Sequence, residues 1–243
     1  MRVASRRAFR FHGAMRLPVV FLAFASSALA APPPLLTAAV EKFRADAPIG
    51  WAFNQTTAAE GKSTVEHCAA DKPEFDRWTL IQKDGRAPTA DEARDYGEIR
   101  SRRSRGGTAP KLTDQFDLPS AEVAADTPER TTFRLKMKPG EADDRTAAFL
   151  RVTIVVHKPT ATIAEIELAS TGEFSPTLGV KIAEMKTALT YSAPSEGRPS
   201  LPQAVTTHVR GRAFFFKSLD ADMTVTFSDY ERVGKAIPPP SSR

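Results

Sequence analysis

Alternation of apolar and polar residues most limits what this chain can become. "FRLKMK" at 133–138 sets Phe133, Leu135 and Met137 against Arg134, Lys136 and Lys138. "AAFLRVTIVVH" at 147–157 repeats the pattern over a longer run, with Leu150, Val152, Ile154 and Val156 on one side. A period of two sends successive side chains to opposite faces of a strand, so each segment offers one apolar face that needs a cover. Pro159-Thr160 turns the second run into "ATIAEIELAS", which predicts an antiparallel hairpin.

The same signal recurs along the chain. "WAFNQTT", a turn at "AEGK", and "STVEHCAA" read as a strand and its return. "RWTLIQK" is a third strand, closed by Asp84-Gly85, a turn pair in which glycine accepts positive φ without steric cost. "GVKIAEMKTALTYS" fits either period in parts and is assigned to a strand, because its neighbours need partners. "AVTTHVRGRAFFFKSL" and "MTVTFSDY" complete the set.

Two helices interrupt the strands. In "LLTAAVEKFRADAP", Leu35, Leu36, Ala39, Val40 and Phe43 recur at helical spacing, and Pro48 ends the run. The second starts after Pro88, where Thr89 and Glu92 have the spacing of a capping box, and is expected over Ala90 to Arg103. Paired glycines and a proline follow, and 104–129 reads as an irregular loop. The expected fold is mainly β (α+β), about nine or ten strands, mostly antiparallel, with two helices to cover the apolar face. It occupies 31–233, with a disordered tail at 234–243.

The first thirty residues stand apart from this domain. They carry Arg2, Arg6, Arg7, Arg10 and Arg16, no acid, then the apolar run "LPVVFLAFASSALA" ending in Ala28-Leu29-Ala30. That is the layout of a cleavable signal peptide, and the run is short for a membrane span. "SRRAF" matches the start of a twin-arginine export motif but departs at Arg10. Met15-Arg16 makes a compact general-secretory start, and the favoured reading is that route or a wrongly chosen start codon. The expected location is periplasmic or extracellular, with no transmembrane segment in the mature chain. No cysteine stands near the cleavage point to carry a lipid.

Export also resolves the charge balance. Of 34 basic residues five lie in the signal, leaving 29 against 29 acidic ones. A neutral domain gives no reason to expect a nucleic-acid partner. The single cysteine, Cys68, excludes an internal disulfide and a thiolate zinc site.

No reactive motif is present. His67, His157 and His208 lie in separate strands without metal-ligand spacing, and His67 and Cys68 point to opposite faces as strand neighbours. There is no nucleophile elbow and no phosphate loop. The expectation is a non-enzymatic protein with no cofactor and no metal. Two features remain as candidates. Trp51, Phe53, Trp78, Leu80, Phe133, Met137, Phe214 and Phe216 are either core or the lining of an apolar ligand cavity. Arg100, Arg102, Arg103 and Arg105 form a local basic run that suits either a helix C-terminus or an anionic partner.

An opening amphipathic helix, meandering strands and a last strand "VTFSDYERV" with Asp229-Tyr230 resemble the LolA/LolB-like superfamily of bacterial envelope proteins. "WTLIQKDGRAPTADEARDY" also looks like a segment of periplasmic proteins thought to share that architecture. The resemblance implies a half-barrel with helices on its concave face and a hydrophobic ligand, lipid or lipoprotein component between them. The alternative is an envelope protein-interaction or stress-sensing module with a fully packed core, using the arginine-rich helix end and the 104–129 loop.

Overall fold

The computed structural model describes residues 31–43, 50–73, 76–103, 111–139, 146–214 and 216–233. Eleven strands form one open antiparallel sheet. They are β1 (Trp51–Ala59), β2 (Lys62–Cys68), β3 (Trp78–Lys83), β4 (Phe116–Asp126), β5 (Arg130–Met137), β6 (Leu150–His157), β7 (Thr162–Ser170), β8 (Val180–Tyr191), β9 (Pro202–Ala213), β10 (Lys217–Ser218) and β11 (Ala221–Arg232). The helices are α1 (Pro34–Lys42), α2 (Ala90–Arg103) and the single turn α3 (Leu112–Gln115). The order across the sheet is β3-β2-β1-β11-β9-β8-β7-β6-β5-β4, with β10 paired only to β9. The mainly antiparallel fold with helices laid on one sheet is as the alternation predicts.

One face of the sheet carries the apolar side chains. Phe133, Ile154, Ile166, Leu189, Val205 and Val225 stand opposite one another in successive strands, from β5 to β11. α1 covers one end of this face. Leu36 and Ala39 are fully buried against Phe133, Leu135, Val152, Ile154, Val156, Ile163 and Ile166. Full burial of one such aliphatic side chain contributes about 1.5–3 kcal/mol, so buried area is the main hold on this small helix, with Lys42 Nζ donating to the Thr160 carbonyl at 2.9 Å. Toward the sheet centre, Leu189, Val205 and Val225 are only half-buried.

Two local differences from the sequence reading have physical causes. α1 ends at Lys42 rather than near Pro48, because Phe43 turns to an extended conformation. Its ring packs edge-on against Tyr191, centroids 5.3 Å apart. The second difference falls within the irregular loop expected over 104–129, of which 104–110 lie outside the described residues: Phe116–Asp126 is the edge strand β4. Pro119 and poor alternation hide it. An edge strand exposes one row of backbone groups and tolerates proline there.

Turns fall where the dipeptides place them. Glu60-Gly61 and Asp84-Gly85 both have positive φ at both residues, the geometry whose twist matches a two-residue hairpin. The Asp84 carboxylate also accepts from the Ser63 backbone N–H at 2.9 Å.

Candidate functional site

The eight aromatic and aliphatic candidates do not gather in one place. Phe53, Trp78 and Leu80 belong to the β1–β3 end of the apolar face. There Phe53 meets Trp78, Phe227 and Tyr230 at centroid distances of 5.6, 5.8 and 5.3 Å. Trp51 is half-buried at the start of β1, opposite Arg232. Phe133 is core beneath α1, with Met137 packed at its margin. Phe214 and Phe216 are 63% and 87% exposed beside the turn between β9 and β10. Under α1 the space is filled, since Val152, Ile154 and Val156 have no exposure.

The basic run also divides. Arg100 turns inward and pairs with the buried carboxylate of Glu66 on β2. Its guanidinium lies 4.5 Å from the Trp78 ring centroid and donates from Nε to the Tyr96 hydroxyl at 2.9 Å. Burial, then the nearby Glu66 charge, pushes the Tyr96 phenol up to about 12. An outward anionic contact is therefore not what Arg100 makes here: it anchors α2 to the sheet. Arg102 and Arg103 sit in the last turn of α2 with side chains outside the described residues, where Arg105 also lies.

At the other end of α2 the capping box forms as its spacing predicts. Glu92 accepts from the Thr89 N–H at 2.9 Å while Thr89 Oγ1 accepts from the Glu92 N–H at 3.3 Å. Arg86 adds a bidentate pair to Glu92, both contacts at 2.8 Å, and Lys83 a third at 2.9 Å. Hydrogen bonds from Arg86, Thr89 and Lys83 hold the carboxyl well below the usual range.

The titratable groups weighed for chemistry have structural partners. His67 contacts Asn54 Oδ1 at 2.8 Å, and His157 contacts Thr160 Oγ1 at 2.8 Å. His208 lies 2.6 Å from Asp222 on the opposite, solvated face, where Arg210 shares the same carboxylate at 2.8 Å. Cys68 is buried, and burial pushes its thiol up to about 11 against the opposing pull of Arg77 and Arg100. No group of three metal-ligating side chains occurs among the described residues. In the Asp229-Tyr230 element, Asp229 has φ 53 and accepts from the Asn54 amide at 2.9 Å. Tyr230 turns back to the apolar face, and its hydroxyl donates to the Pro202 carbonyl at 2.7 Å.

Among the described residues, a concavity that can take a ligand lies elsewhere, at the β4 edge. It has a volume of about 680 Å³ and is bounded by β4, β5, the start of β6 and a 3-10 turn at Thr146–Phe149. Its origin is the break in β4 at Pro119. Asp117 pairs with Lys136, yet the next pair is Glu122 with Arg134, so β4 carries three residues more than β5 over this step. Ser120 patches the gap: its Oγ accepts from the Lys136 N–H at 3.0 Å and donates to the Asp117 carbonyl at 2.6 Å. The bulge bends the edge strand. The far wall is fixed by Thr171, whose backbone N–H donates to the Phe149 carbonyl at 2.8 Å.

The lining joins two chemistries. Met137, Pro139, Ala147, Ala148, Phe149 and Leu150 give an apolar wall, while Arg134, Lys136 and Arg151 stand at its side with Glu122 and Ser120. Of the eight predicted cavity residues only Met137 reaches it. The alternation of "FRLKMK" signalled both sides of this strand, but the bulge that opens the space has no sequence period to announce it.

No protein-family model, curated protein or solved structure matches this chain.

Proposed function

We propose that this chain is an exported, non-enzymatic binding protein for an apolar ligand, a lipid or lipoprotein component of the cell envelope. The location would be periplasmic, and the fold a member of the LolA/LolB-like type. The observation that carries the reading is the 680 Å³ cavity with its apolar wall at the β4 edge. Its size falls within the range of about 300–1,000 Å³ usual for small-molecule sites. The charged N-terminal segment and its apolar run support export.

Native mass spectrometry of protein recovered from the periplasm tests this reading. A co-purifying apolar adduct lost on substituting Ala148→Trp, which fills the cavity, supports it. Protein that is free of adduct and binds no amphiphile in titration refutes it.

A second reading, docking to an envelope protein, is favoured by one corner of the molecule. Leu178 is 97% exposed there, and the Phe214 ring lies against Gly179 next to it. Exposed apolar groups brought together mark contact surfaces. A photo-crosslinker at Phe216 that captures one protein, lost on Leu178→Lys, supports docking; the absence of any adduct refutes it.

A further inference from the structure

We propose that the cavity at the β4 edge selects an anionic amphiphile, a linear apolar chain bearing a carboxylate or phosphate head; this rests on reading the same cavity as an apolar ligand site. Three cations stand together at its side. Arg134 and Lys136 are two residues apart on β5 and so share a face, and Lys136 is directly opposite Arg151 on β6. All three are exposed, and none forms an ion pair among the described residues.

Elsewhere on the same face cations are paired with acids across strands. Lys186 pairs with Glu167 at 2.8 Å, and Arg210 with Asp222 at 2.8 Å. Cross-strand neighbours of like charge are destabilising, so Lys136 and Arg151 oppose each other at a cost that an anion between them removes. Among the described residues Glu122 is the one acid in the lining. It faces Arg134 in register without closing an ion pair, and the described lining is net positive.

The apolar wall lies immediately beside these charges. Phe149 keeps 39% exposure although its other side stacks on Phe174 at 5.9 Å. A free inorganic anion leaves that wall wet, and an uncharged apolar ligand leaves three cations without a counter-charge. A molecule with both parts satisfies both walls at once. Its head hydrogen-bonds to the guanidinium groups, which match carboxylate and phosphate oxygens in pairs.

Calorimetric titration of the full chain at low ionic strength tests this. The probes are dodecyl phosphate, dodecanoate, dodecanol and dodecyltrimethylammonium, each below its micelle concentration, and inorganic phosphate. The two anionic amphiphiles are expected to bind at least about tenfold more tightly than dodecanol, with affinity falling as salt is added. Each of Arg134→Gln, Lys136→Gln and Arg151→Gln is expected to weaken dodecyl phosphate about fivefold and leave dodecanol unchanged. Arg151→Lys is expected to restore most of the loss. These are exposed strand positions, and an unchanged melting temperature verifies the fold of each variant. Equal binding of dodecanol and dodecyl phosphate overturns the anion selectivity while the apolar site stands. Inorganic phosphate binding as tightly as dodecyl phosphate overturns the amphiphile in favour of a simple anion site. No binding of any amphiphile overturns the site itself.

Discussion

Replacing Arg100 with methionine is expected to release α2 from the sheet while leaving the rest of the fold standing. The helix has few other anchors. Its apolar members are Ala93, Tyr96 and Ile99, and Ile99 is half-exposed. Removing one partner from a buried ion pair costs about 3–5 kcal/mol, because the other charge is left buried and alone. The side chains of Arg100 and Glu66 retain 22% and 10% exposure, which puts the loss toward the lower end. The guanidinium also lies over Trp78, a contact contributing about 0.5–2 kcal/mol. Methionine preserves most of the stem packing, so about 3 kcal/mol is expected from urea unfolding of Arg100→Met.

Adding Glu66→Gln to that variant removes the orphaned charge and should recover 1 kcal/mol or more, roughly the desolvation cost of a group left unpaired. Amide hydrogen exchange supplies the local readout. Protection across 90–103 should fall by about two orders of magnitude in Arg100→Met, at about 1.4 kcal/mol per decade, while protection in β5–β7, under α1, falls by no more than the global loss. A variant that loses less than about 1 kcal/mol and keeps the protection of α2 would refute the anchoring role and return Arg100 to the solvated surface.

Three further perturbations bear on other parts of the molecule. Leu36→Ala removes the fully buried anchor of α1 and should cost about 2–5 kcal/mol in denaturant unfolding, whereas a loss under 1 kcal/mol would mean α1 is not part of the cooperative core. Gly211→Ala puts a Cβ 2.7 Å from the Lys181 carbonyl oxygen, so the β8–β9 pair must shift, and a drop of about 1–3 kcal/mol is expected from thermal melts; an unchanged melting temperature would show that the strands give way freely. Cys68 should resist thiol reagents at pH 8 and react only on unfolding. Its raised folded value means that the neutral thiol is favoured in the native state, so its contribution is intact below the unfolded value near 9 and lost as pH rises toward about 11. The stability difference between wild type and Cys68→Ala should therefore narrow across that window in alkaline unfolding, and a difference independent of pH would contradict it.

Strand positions were legible because alternation reports which face is buried, and that face is buried by the same helix in every strand from β5 to β7. The cap of α2 was legible because Thr89 and Glu92 meet through three residues of local geometry. The inward turn of Arg100 was not: its partner Glu66 is 34 residues away, on a strand that passes beneath the helix only once the sheet exists. Glu66 reads from sequence as one of the polar residues of β2, yet register places it opposite Gln55 and Leu80 on the apolar side. The candidate cavity failed for a similar reason. The large apolar residues fill their own space, and the gap lies where β4 carries extra residues. An interrupted edge strand announces itself only through Pro119, which also suits a loop.

The strand order explains why α2 is held by charge and α1 by area. β3 and β4 follow one another in sequence, yet they form the two opposite edges of the sheet. Nine inter-strand steps of about 4.8 Å separate them, about 43 Å along the sheet. The chain between them must make that crossing, and the fourteen residues of α2 supply about 21 Å of it at 1.5 Å per residue. A connecting helix with a broad apolar stripe would bury the face along its whole path, as α1 does at its own end. A polar helix attached at Glu66 leaves the middle of that face half-buried, with Leu189, Val205 and Val225 retaining contact with solvent. The attachment centres on one buried ion pair with its aromatic neighbours, joined by the exposed Lys83–Glu92 pair at 2.9 Å, so the cost of lifting α2 is set chiefly by one desolvated charge rather than by a broad apolar area. α1 has no such discrete release, because its seat is continuous with the core of β5–β7. Hydrogen exchange in the unmodified protein should accordingly rank α2 well below α1 in protection, and equal protection of the two helices would mean that the crossing segment is held by more than this pair.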